Sequence, residues 1–323
     1  MLKDSDVMIA YEQVVETTYI NSAKEIFDIL SPFNSHNDFL NNGFIFRGEA
    51  TTKYALLPTA LRPENIRRLW SMIDMNMLID NHENIEYFQR MAEYGILHKF
   101  FVKADRNGMK IPNVDSLRNN MAIFFADGLQ TIRGEWLPSS IHELAGLAQH
   151  YGLPTRLLDW SLDPFVSLYF ASVNALKSSF DEDDHLVLWA LNRREIEKIN
   201  MSMHKVPLVI INPPYGGNEN LKAQQGILTY WKGERIVSSN GGINVSVKVD
   251  RTPLNTLIHE NLSNNFLFKK NPTIALHKFL IPNNEAKTLF FALQKINYDA
   301  ANLFPGFDGI SRSIIENTLF SSN

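Results

Sequence analysis

Two periods of apolar and polar positions run through this chain. Val14 to Ile20 is rich in β-branched residues and predicts a strand. Ser22-Ala23-Lys24-Glu25 has the form of a capping box, which predicts a helix running to about Leu30 and broken by Pro32, Asn34 and Ser35. Phe44-Ile45-Phe46-Arg47 predicts a short strand that stops at Gly48. Between Pro63 and Leu147 the spacing becomes helical. Ile66, Leu69, Trp70 and Ile73 share one face, as do Ile85, Phe88 and Met91 within Glu83–Phe101, and Leu117, Met121, Phe124 and Phe125 within Asp115–Thr131. Ser140-Ile141-His142-Glu143 reads as a second capping box, starting the helix that leads into Ala148. Residues 63–147 are therefore expected to form a helical subdomain whose methionine and aromatic stripes are core.

Beyond Asp184 the period returns to that of strands. His185–Leu191, Val206–Ile211, Gly226–Tyr230 and Thr273–Leu280 are candidates. So are Glu234–Val237, as the second arm of a hairpin, and the alternating Ile243, Val245, Val247 and Val249. Asn284–Ile296 and Ser311–Leu319 read as closing helices, with Asp308 as an N-cap candidate in the turn Leu303–Gly309. The expected fold class is α+β: one domain over residues 1–323, with a mostly antiparallel sheet core and an inserted helical subdomain at 63–147.

The segment from Ala148 through Gln149, His150, Tyr151, Gly152, Leu153, Pro154, Thr155, Arg156, Leu157, Leu158 and Asp159 to Trp160 concentrates the candidate chemistry. It reads as a helix end, a turn bent by Gly152 and Pro154, and a second helix, with polar groups held at the lip of a buried element. His150 is either a base or ligand contact, or a cap on the negative helix end. Arg156 and Asp159, three apart, either pair on one helical turn or divide their roles, the arginine on an anion and the acid on a neighbour. Arg47, beside Gly48, either grips a phosphate or carboxylate or pairs with Glu49 or Asp159. Gln224 and Gln225 before Gly226 could read a ribose, a base edge or a peptide, or satisfy buried backbone. Trp160 is expected in the core, with its indole N–H on an acceptor.

Composition narrows the classes. The chain has 323 residues, 45% of them apolar, enough for a full core. Its formal charge of -4 gives no overall basic field for a long nucleic acid. The pairs Arg67-Arg68, Arg193-Arg194 and Lys269-Lys270 leave local contacts open. With no cysteine, disulfides, thiolate metal sites and a cysteine nucleophile are excluded. No His-Glu-x-x-His helix, phosphate-binding loop, dinucleotide fingerprint or Gly-x-Ser-x-Gly elbow occurs, so no metal is expected. The acidic start and an apolar run too short to span a bilayer lead to the expectation of a soluble cytoplasmic protein without membrane partners.

The order of Phe46-Arg47-Gly48, Leu56–Arg62, Ala148–Ala171, Ala223-Gln224-Gln225-Gly226 and Leu303–Gly309 resembles the FRG-domain family, over about Val14 to Ile314. The family occurs in bacteria and viruses. The resemblance places its polar set on Arg47, His150, Thr155, Arg156, Asp159 and Gln225, and implies a role in bacterial conflict such as phage defence. A more distant likeness links Arg47 to the aromatic-Arg-Gly strand of ADP-ribosyltransferases, with Thr155–Ala171 standing loosely for their second element. The third departs: Gln224-Gln225-Gly226 lacks the catalytic acid, so Asp159 or Glu49 must replace it or the site only binds. The resemblance implies NAD as cofactor or substrate. Arg47, Thr155, Arg156 and Gln224 would bind it, and Asp159, His150 and Gln225 would carry catalysis. The expected partner is a nucleotide-like small molecule, with a protein partner or acceptor left open. The alternative reading is a non-catalytic recognition module in which the same polar cluster is structural.

Overall fold

The computed structural model describes residues 14–34, 39–40, 43–75, 85–118, 137–178, 183–201, 206–216, 218–231, 248–263 and 273–321. Seven strands form one sheet: β1 (Val15–Tyr19), β2 (Phe44–Glu49), β3 (Leu158–Ser161), β4 (His185–Asn192), β5 (Leu208–Ile211), β6 (Gly226–Trp231) and β7 (Leu276–Pro282). Their order is β1-β7-β4-β2-β3-β6-β5. Every pairing is antiparallel except β1 with β7, whose strands are parallel. The helices are α1 (Ala23–Ile29), α2 (Ile66–Ser71), α3 (Glu86–Arg106), α4 (Asp115–Arg118), α5 (His142–His150) and α6 (Pro164–Lys177). After them come α7 (Arg193–Asn200), α8 (Glu219–Ala223), α9 (Leu254–Ser263), α10 (Ala286–Lys295), α11 (Ala300–Leu303) and α12 (Phe307–Ser321). The fold is α+β, with a mostly antiparallel sheet. Among the described residues no helix is long and apolar enough to cross a membrane.

Strand alternation explains how the sheet is covered. On β4, Val187, Trp189 and Leu191 enter a cluster with Leu158, Trp160 and Ile227 on one face. Leu186, Leu188 and Ala190 enter a second cluster with α6 and α10 on the other. A central strand buried on both sides reads as a continuous apolar run, as His185–Asn192 does. On β6 the alternation differs. Ile227 and Trp231 join the first cluster, but Leu228 and Tyr230 join a third, built by α2, α3 and α5. So the face opposite the first cluster has two covers, α6 with α10 over one half and the α2–α5 layer over the other.

Two contacts fix the junction. Gly48 lies directly under α6, where an added Cβ would fall 1.9 Å from the Ser167 carbonyl oxygen. Past the end of β2, Thr51 and Thr52 hydroxyls donate to Asp184 at the entrance to β4. Burial opposes ionisation of Asp184, but these hydrogen bonds hold its carboxyl down at about 2.

Several local expectations need correction. Leu158–Ser161 is a strand, not the start of a helix, and pairs with β6 from Leu158↔Thr229 to Ser161↔Gly226. Ser140 does not cap α5. It sits inside a 3₁₀ turn, Ser139–Ile141, that Pro138 initiates, and α5 starts one residue later without a side-chain cap. At Ser22 the hydroxyl accepts from the Glu25 amide, but Glu25 reaches back to Asn21. Asp308 lies in the first turn of α12 rather than before it. The expected elements at 119–131, 234–237 and 243–247 lie outside the described residues.

Gly48→Ala is expected to lower stability by about 3 kcal/mol, because the clash is with backbone that cannot rotate away. Urea denaturation checks this, and an unchanged midpoint would mean that β2 and α6 are not in contact.

Candidate functional site

The site begins with the end of α5. Gly152 takes φ 83°, the left-handed region that favours glycine. Around it Leu153 N–H donates to the Ala148 carbonyl at 3.1 Å and Gly152 N–H to that of Gln149 at 2.8 Å, the paired closure of a Schellman motif. Pro154 cannot continue the helix, and the chain turns into β3. Thr155 is buried in this turn. Its hydroxyl donates to the Gln149 side-chain oxygen and accepts from Leu157 N–H at 3.3 Å. With its oxygen engaged, Gln149 turns its amide donors to the Asp159 carboxylate.

β2 and β3 are joined by one pair, Phe46↔Ser161, and part beyond it. A cavity of about 380 Å³ lies at this split, between α5, α6 and β6, within the range of small-molecule sites. Arg47 and Glu49 alternate with Phe46 and Gly48 along β2 and line the cavity with Gln149, His150 and Asp159. Arg47 Nε donates to Glu49 Oε1 at 2.7 Å and its NH1 to the Asp159 carbonyl at 2.9 Å. Burial works against the Arg47 charge, but attraction to Glu49 and Asp159 outweighs it and raises the guanidinium pKa. Asp159 is enclosed by protein on the scale of charge solvation, yet its surface is exposed because it faces the hollow. That enclosure raises its carboxyl pKa, against the pull of Arg47, the Gln149 hydrogen bond and His150. Burial lowers the pKa of His150, with Asp159 opposing. Asn220 Nδ2 lies 3.0 Å from its Nε2, which fits a neutral imidazole accepting there. The cavity thus holds one guanidinium, two carboxyl groups and an imidazole.

Arg47, His150, Asp159 and Gln224 line the cavity. Thr155, Arg156 and Gln225 are not among its lining residues. Thr155 acts on the cavity at one remove, through Gln149. Arg156 is buried at the foot of the helical layer. Its Nε and NH2 grip Glu93 at 2.9 Å each and its NH1 reaches Glu86 at 2.8 Å, while Arg90 holds Glu86 from the other side at 2.5 Å. The expected helical turn linking Arg156 to Asp159 does not form, because residue 159 already belongs to a strand. Gln225 takes φ 46° at the corner before β6. Its exposed side chain points to Asp163 at 3.4 Å. Gln224 donates to the Leu303 carbonyl at 3.1 Å, tying this corner to α11. Trp160 donates to Thr229 Oγ1 at 2.8 Å from the core. Gln149 was missed as a site residue, although its place one residue before His150 and six before Thr155, across a Gly-Pro turn, was a usable signal.

Residues 42–179 match the sequence model of the FRG domain family. The matched stretch is short of half the chain. It runs from just before β2 to just past α6 and encloses Arg47, Glu49, Gln149, His150 and Asp159. In the FRG tripeptide, Phe46 fills the core under α6, Arg47 enters the cavity and Gly48 admits the helix. No curated protein and no solved structure matches the chain. Among the described residues no group of three or more His, Asp or Glu side chains could hold a metal ion.

The two acidic sites respond oppositely to substitution. Arg156→Met leaves two buried carboxylates short of a partner and is expected to cost about 3–5 kcal/mol. Asp159→Asn is expected to stabilise the fold at neutral pH. A carboxyl pKa raised on folding opposes folding as pH climbs above the unfolded value of 3.8, and has no effect below it. Unfolding midpoints measured from pH 3 to pH 7 (a range of about four units) check both. An Asp159→Asn protein less stable than the native chain at pH 7 would contradict the electrostatics described.

Proposed function

We propose that the cavity binds a ribonucleotide, NAD being the first candidate, and acts at its N-glycosidic bond in the manner of an ADP-ribosyltransferase or NAD glycohydrolase. The observation that carries this reading is the convergence of Arg47, Glu49 and Asp159 on one cavity at the β2–β3 split. Breaking a glycosidic bond develops positive charge on the ribose, and a fixed carboxylate beside it lowers the barrier. The acid missing from the Gln224-Gln225-Gly226 corner then comes from β2 or β3 instead. Glu49, held by Arg47, is the candidate for the charge-stabilising role. Asp159, whose proton is retained more readily, is the candidate for proton transfer to a leaving group or from an acceptor. Arg47 offers its remaining N–H donors to a phosphate or hydroxyl. Neutral His150 and Gln149 supply uncharged contacts.

Two carboxyl groups against one guanidinium give the cavity no excess of positive charge, so the reading places the ribosyl group, not the phosphates, at its centre. Action in the cytoplasm on a protein acceptor, in bacterial conflict such as phage defence, belongs to the same proposal and rests on the FRG resemblance. A second reading, a recognition module without catalysis, is favoured at one point only. The buried ion pairs of Arg156 and Arg90 with Glu86 and Glu93 support a structural role for that part of the polar signature.

Thermal shift with NAD, ADP-ribose and ATP, together with assay of nicotinamide release, tests the proposal. NAD is expected to raise the melting temperature of the native chain, and Arg47→Ala to weaken binding about tenfold or more. Glu49→Gln is expected to lower turnover by roughly 10²–10³ while binding changes little. No stabilisation by NAD at millimolar concentration, or an Arg47→Ala protein that behaves as native, would count against it.

A further inference from the structure

Among the described residues, helix α12 is held on one side and exposed on the other. Its inner side carries Gly309, Ser313, Glu316 and Phe320. Buried Glu316 accepts from Tyr169 Oη at 2.7 Å, Lys177 Nζ at 2.7 Å and Arg312 Nε at 2.8 Å, which fixes the helix on α6. Its outer side exposes Phe307 (87%), Ile310, Ile314 (63%), Ile315 and Leu319. Scattered exposed apolar residues need no explanation, but five on one helix form a patch.

We propose that this face is the interface of a homodimer in which α12 packs against α12 of a second copy. The spacing is that of helix-packing ridges. Ile310 and Ile314 stand on one i, i+4 row. Phe307, Ile315 and Leu319 stand on the next, which dips at the small exposed residue Ser311. Two adjacent rows with a groove between them complement a copy of themselves, since a ridge of each helix enters the groove of the other. The five side chains expose on the order of 600 Å² per copy, so a symmetric pair buries at most about 1,200 Å², which reaches the roughly 1,000 Å² a stable interface needs. Charge also suits a second copy. Asp308, at the helix start, falls at opposite ends of an antiparallel pair. Arg312 is turned to Glu316 and to the face of Phe304 at 4.3 Å. Among the described residues Asp308 is the exposed charge at the edge of this face, and the antiparallel arrangement keeps it away from its copy. Through Phe304, which lines the cavity, the interface adjoins one wall of the candidate site.

Sedimentation velocity of the full chain across the micromolar range tests this, with Ile314→Glu as the variant. The native chain is expected to sediment at twice the chain mass, and Ile314→Glu at the chain mass with an unchanged melting temperature. The chain has no cysteine, so Ser311→Cys places a single thiol at the dip and is expected to cross-link copy to copy with a short bismaleimide. That readout stands even if Ile314→Glu fails to fold. A native monomer at every concentration, a dimer that Ile314→Glu leaves intact, or a Ser311→Cys dimer that does not cross-link would each overturn the proposal.

Discussion

Backbone contact between β2 and α6 at Gly48 pins one half of the sheet, while β2 and β3 stay joined only at Phe46↔Ser161. These two constraints set the rest. A strand pressed against a helix cannot follow its neighbour as that neighbour turns to pair with β6. The sheet opens along this line, and two different helical covers meet above the opening. The polar side chains of β2, which would otherwise be locked in the ladder's apolar cluster, gain a cavity to face. One small residue thus shapes the packing, and the packing shapes where the cavity opens.

The two arginines of the signature show how context separates identical groups. Arg156 is enclosed by carboxylates on α3, and its planar donors are taken up in bidentate and single contacts within the helical layer. Such a set is costly to break and offers nothing to a ligand. Arg47 has one carboxylate partner and one carbonyl, and lies beside open space. Asp159 faces the same space, and its enclosure by protein raises its carboxyl pKa against the pull of Arg47.

Much of this was legible in the chain. The continuous apolar run of β4, the β-branched start of β1, and the Gly152-Pro154 turn each follow from local rules that tertiary packing did not override. The class and the mostly antiparallel sheet follow from the same periods. Leu158-Asp159-Trp160-Ser161 was not legible as a strand. Four residues beside a helix signal carry no period of their own, and pairing with β6 decided their state. The parallel β1–β7 pair joins segments too distant for any local signal. Arg156 and Gln225 drew attention by residue type, local spacing and the FRG resemblance, none of which fixes where a side chain ends up. Which arginine meets an acid from α3, and which glutamine faces solvent, depends on contacts across the chain. Glu49 was already a candidate acid in the sequence, and its place beside Arg47 in the cavity follows from the β2–β3 split.

The most direct measurement is a crystal structure of the protein with NAD or ADP-ribose bound. The expected result is a ribose between Glu49 and Asp159, with an Arg47 N–H within hydrogen-bond distance of the ligand. A ligand seated elsewhere on the molecule, with Arg47, Glu49 and Asp159 untouched, would contradict it.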